Sequence, residues 1–179
     1  MILFLTMALQ AAAPATATPP APPPPPWTPR MKMDPVTNRP SGSVSATSQD
    51  GNARLVVRCD RRVNNVVSIQ FIPNAPFAAA TPRPVSITVD GGTALGANWE
   101  FPGRGAVVSD EAIVTTLTVA IARGKTIKVH VIDPSEKPVD AVFSGPPSEA
   151  PIKQVVESCG YTFGVVPAAE PAPPETPAP

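Results

Sequence analysis

Leu55, Val57 and Cys59 fall on alternate positions, with Val56, Arg58 and Asp60 between them. A two-residue period is that of a β-strand with one buried face, so the cysteine is predicted to point inward. Upstream, "SVSATSQ" reads as a partner strand, joined through Asp50-Gly51, a dipeptide that favours a tight hairpin turn. "NVVSIQFI" sets Val67, Ile69 and Phe71 against Ser68 and Gln70, and "PVSITVD" sets Val85, Ile87 and Val89 against Ser86, Thr88 and Asp90. After Gly91-Gly92, "ANWEF" returns with Trp99 and Phe101 on one side. These five segments predict an antiparallel meander with one wet face.

From Asp110 to Arg123 the period changes. Ile113, Leu117, Ala120 and Ile121 make a helical stripe, Ser109 suits an N-cap, Asp110 and Glu111 suit the positive first turn, and Gly124 can end the helix. The segment is β-branched and also fits a strand, but its length favours the helix. "KTIKVHVID" then predicts a strand with Ile127, Val129 and Val131 inward, paired with "PVDAVFSG" across Asp133–Glu136. Beyond Ser148, residues Ile152, Val155, Val156 and Cys159 recur at i, i+3, i+4 and i+7, one face of a second helix closed by Gly160. The predicted fold is α+β: an antiparallel sheet with two helices packed on it.

Composition sets the boundaries. Of 179 residues 27 are proline, nine of them from Pro14 to Pro29 and six from Pro167 to Pro179. Such segments favour extended polyproline structure over a core. The apolar run Ile2–Leu9, followed by small residues such as Ala13-Pro14-Ala15, has the pattern of a cleavable export signal, although no basic residue precedes it. The expected organisation is a signal peptide at 1–17, a Pro-rich linker at 18–36, one α+β domain at 37–166 and a Pro-rich tail at 167–179. The run is too short to span a bilayer, so the mature chain is expected to be a soluble periplasmic protein. In an oxidising compartment two inward cysteines pair, and a Cys59–Cys159 bridge would staple the last helix to the sheet.

Chemistry is sparse. Fourteen basic and fourteen acidic residues cancel and only nine residues are aromatic, which argues against a nucleic-acid partner. His130 is the only histidine and falls on the wet face of its strand, so no metal, cofactor or His-based catalytic group is expected. The "GRG" at 103–105 and "DGG" at 90–92 read as turns. Asp50, Asp90, Asp110, Glu111, Asp133, Glu136 and Glu149 sit where turns and caps use them. In "RCDRR", Arg58, Arg61 and Arg62 cluster near a strand end and suit a carboxylate or phosphate, or else simply charge a sheet edge. With Trp99, they are the candidate partner-binding residues.

Gly51, Leu55, Cys59, Trp99 and Cys159, with Trp27 ahead of the domain, together give a layout that resembles the VasI-like accessory proteins of type VI secretion over residues 41–160. The resemblance implies a non-catalytic accessory role in the bacterial envelope, with a secretion-system or other envelope protein as partner. Two other expectations compete: a carboxylate-based cell-wall hydrolase, and an inhibitor of envelope proteases or lysozyme that presents "IPNAPFAAATPRP" as a rigid loop.

Overall fold

The computed structural model describes residues 26–33, 35, 38–61 and 65–168. The expected signal peptide, the first part of the linker, all but the start of the tail, and Arg62 lie outside the described residues. Among the described residues eight strands and two helices follow one another: β1 (Arg30–Met33), β2 (Pro40–Thr47), β3 (Ala53–Asp60), β4 (Val66–Pro73), β5 (Phe77–Val89), β6 (Leu95–Val108), α1 (Glu111–Arg123), β7 (Thr126–Ile132), β8 (Pro138–Ser144) and α2 (Ala150–Ser158). Every strand pairing is antiparallel, and strands dominate the fold.

The alternating residues do face the core. Leu55, Val57, Cys59, Ile69, Phe71, Ile87, Ile127 and Phe143 are all buried, and Phe71 stacks edge-on against Phe143 at 6.4 Å. The helix expected at Asp110–Arg123 forms, with its N-cap at Asp110 and not Ser109: the Asp110 carboxylate accepts the Ile113 N–H at 3.0 Å. Its buried stripe is rotated from the expected one, to Val114, Leu117, Thr118 and Ile121. In α2, Ile152, Val155, Val156 and Cys159 are buried as the spacing predicts.

Strand order departs from a meander. The order is β1-β2-β3-β4-β6-β5-β7-β8, so β6 lies between β4 and β5. The cause is the length of β5 and β6, 13 and 14 residues, which runs well past the alternating segments seen in the sequence. Ala78–Pro84, expected as an exposed loop, continues β5, and "GRG" at 103–105, expected as a turn, lies inside β6. At that triplet β6 changes partner. Arg104 is still opposite Phe77 of β5, whereas Ala106 is opposite Phe71 of β4. A strand that passes from one half of a sheet to the other needs a bend or bulge at the crossing.

The sheet curls almost to closure. Near one end of the order, the Gln49 N–H donates to the Val142 carbonyl of β8 at 2.7 Å. Trp27 spans the same seam, its main-chain N–H on Ser45 of β2 and its indole Nε1–H on the Ser144 carbonyl of β8, both at 2.7 Å. Trp27 is only 2% exposed. Together with β1 it therefore belongs to the folded sheet, although proline content places both in the linker. Proline counting cannot register one tryptophan that finds a core. The Cys59–Cys159 disulfide forms, with a Cα–Cα distance of 5.5 Å and 100 positions between its ends.

Candidate functional site

The candidate residues scatter. Trp99 is 1% exposed and presents no surface to a partner, which corrects its candidate role. Alternation had already set it beside Phe101, itself buried. Arg61 is held in place, Nε on Asn65 Oδ1 at 3.0 Å and Nη1 on the Ser158 carbonyl at 3.1 Å. There it satisfies a carbonyl at the C-terminal end of α2, beside the disulfide, a favourable place for a cation. Arg58 pairs with Asp60 at 3.1 Å on the outer face of β3.

His130 is exposed on the outer sheet face, as expected, but it has a partner: Nδ1 lies 2.7 Å from Asp140 Oδ1. Ser86 stands opposite His130 on the other side, so serine, histidine and aspartate form one row across β5, β7 and β8. The order is that of a nucleophile, base and acid. However, Ser86 and His130 lie on strands paired on both sides, where main-chain N–H groups already serve the sheet and are not free to hold an oxyanion. The pair is a cross-strand contact.

The seven carboxylates singled out in the sequence are all engaged, three within their own turn or cap and four with groups distant in the chain. Asp50 accepts from the Ser48 hydroxyl and the Asn52 N–H, which hold its pKa below the usual 3.8, the Ser48 bond most strongly. Asp133 accepts from the Lys137 N–H, then the Ser135 hydroxyl, and is likewise lowered. Asp90 bridges the Lys125 and Thr126 N–H groups, and Asp110 caps α1. Glu136 pairs with Arg83, Glu149 with Arg123, and Glu111 accepts from the Tyr161 hydroxyl. Burial, then Glu111, raises the Tyr161 pKa above its usual 10.0. Among the described residues no group of three His, Cys, Asp or Glu side chains is placed to hold a metal ion.

Two clefts among the described residues lie beside candidate groups. One, of about 620 Å³, opens between the Asn74–Pro76 turn and the Asp133–Ser135 turn, and its one carboxylate is already spent on its own turn. The second, of about 500 Å³, lies on the outer face over β3, β4 and β6. Arg54, Arg58 and Arg104 line it together with Gln70, and no acidic side chain is among its lining residues. Sequence reasoning found Arg58 but not its companions, because Arg104 reaches this face only through the crossing of β6.

The backbone at Arg104 is unusual. Its φ is 76°, in the left-handed region that a non-glycine residue occupies at a cost of roughly 1–2 kcal/mol. Gly103 also has positive φ, 92°, and a Cβ at Gly105 would run into the Phe71 carbonyl oxygen. Both glycines are thus required by the crossing. Arg104 itself is exposed.

Fold and surface define a disulfide-bridged, strongly curled antiparallel β domain with two helices. No family model, curated protein or solved structure matches the chain. Among the described residues, no helix is long and apolar enough to cross a membrane.

Proposed function

We propose that the protein is exported and works by binding, without catalysis, as an accessory component of the bacterial cell envelope. The observation that carries this reading is the Cys59–Cys159 bridge, buried at both ends. A structural disulfide of this kind persists in oxidising compartments and is rare where thiols are kept reduced. The apolar run at Ile2–Leu9 with small residues after it supports the same reading. So does the use of the prominent carboxylates in turns, caps and ion pairs, which leaves the binding reading ahead of the hydrolase. The resemblance of the layout to VasI-like proteins suggests an envelope or secretion-system partner. The inhibitor reading stands behind the binding one, since most of the segment 72–84 is strand β5 and not a free loop.

Osmotic-shock fractionation of the native host, with mass measurement of the recovered chain and thiol titration under denaturing, non-reducing conditions, tests the proposal. The expected result is a periplasmic chain, shortened at the small residues before position 18, with no reactive thiol. A full-length cytoplasmic chain with two thiols would overturn it.

A further inference from the structure

We propose that the outer groove over β3, β4 and β6 is a binding site for a ligand carrying at least two oxyanion groups, phosphate or carboxylate. The inference goes beyond the envelope reading and does not depend on export.

Three observations converge on it. First, the charge is concentrated and largely uncompensated. Arg58 shares its charge with Asp60, but Arg54 makes only a 3.4 Å contact with Ser45 Oγ, and among the described residues neither Arg54 nor Arg104 pairs with a carboxylate. Like charges gathered on one face without acids between them repel, and an anion removes the repulsion. Second, the arrangement is extended. Arg54 and Arg58 stand on the same face of β3, about 13 Å apart along the strand at roughly 3.3 Å per residue, and Arg104 lies two strands away, about 10 Å. One ion cannot meet all three, whereas a ligand with several oxyanions can. Guanidinium forks suit both phosphate and carboxylate, since each presents paired oxygens to paired N–H donors.

Third, the strain falls on the wrong residue for a purely structural role. The crossing of β6 requires Gly103 and Gly105, and a glycine at position 104 would take the same left-handed backbone freely. An arginine there is held in a disfavoured conformation at the rim of a cleft lined by two further arginines. Backbone outliers that persist in this way cluster at ligand sites.

Calorimetric titration of the whole chain at low ionic strength provides the test, with tripolyphosphate and citrate as the two probes. At least one is expected to bind, more weakly as salt rises; the tighter of the two tells whether phosphoryl or carboxylate ligands are preferred. Arg104→Gly and Arg54→Gln are each expected to weaken binding by about tenfold or more. Lys128→Gln, which removes the same charge from exposed β7, should leave it unchanged. Arg104→Gly should retain or raise the thermal midpoint, so that lost binding is not lost folding. The proposal is overturned if neither probe binds at millimolar concentration, or if Lys128→Gln weakens binding as much as the groove variants do. Neither result would bear on where the protein resides.

Discussion

Replacing both cysteines by alanine removes the one covalent tie between α2 and the sheet. The bridge closes a loop of 100 positions, for which restriction of the unfolded chain is worth up to about 4.7 kcal/mol. Domains of this size are stable by about 5–15 kcal/mol, so a third or more of the total is at stake. Helix α2 should nevertheless stay docked. Ile152, Val155 and Val156 are buried, each worth about 1.5–3 kcal/mol as an upper figure, and Arg61 still holds the Ser158 carbonyl. The variant is therefore expected to fold, with a midpoint lower by roughly 15 °C. Urea unfolding followed by far-UV circular dichroism measures the loss, and the slope should rise slightly, because an unbridged denatured chain exposes more surface. Cys59→Ala alone should cost nearly as much as the double change, since either one breaks the tie. A loss below about 1 kcal/mol would refute the argument, as would single changes that add.

Trp27→Ala should cost about 3–5 kcal/mol by emptying the seam, and Trp27→Phe about 1–3 through loss of the indole donor to Ser144; chemical denaturation separates them. Gly105→Ala should destabilise by about 1–3 kcal/mol because its Cβ meets the Phe71 carbonyl. Gly51→Ala, with φ at 77° but open space around it, should cost about 1 kcal/mol from conformation alone. Asp50 and Asp133 have folded pKa values below 3.8, so their stabilising bonds are present above that pH and are lost as pH falls through the lower folded values. Amide exchange at Asn52, Ser135 and Lys137, whose N–H groups donate to these carboxylates, should accelerate relative to the sheet at acid pH, and Asp50→Asn should flatten the response in its own turn only.

What was legible in the sequence was local periodicity. The inward faces of β3, β4, β7 and α2 follow from spacing, because a strand or helix with one buried side must repeat its apolar residues at the matching period. The disulfide follows from two such faces meeting. Trp99 was legible too, since its alternation with Phe101 was a better guide than its size and rarity. Strand order was not, because whether β6 lies beside β4 or outside β5 depends on pairings far apart in the chain. The groove shares that limit. Arg54 and Arg58 are visible as neighbours on β3, but Arg104 joins them only where β6 changes partner. "GRG" looks like a turn in sequence because a turn and a sheet crossing ask for the same backbone.

The seam at Trp27 also sets an order of events. Trp27 and the Ser144 carbonyl are 117 positions apart, and Cys59 lies 100 positions before Cys159. A chain emerging from its N-terminus at about 5–20 residues per second presents Trp27 on the order of 10 s before Ser144 exists to receive it. During that interval β2, β3 and β4 can pair, yet their apolar faces have no opposite wall. A chain cut short before β8 leaves the tryptophan without its acceptor, and one cut before α2 leaves Cys59 without its partner. The early strands must wait for the last ones. The protein is therefore poorly suited to folding by instalments.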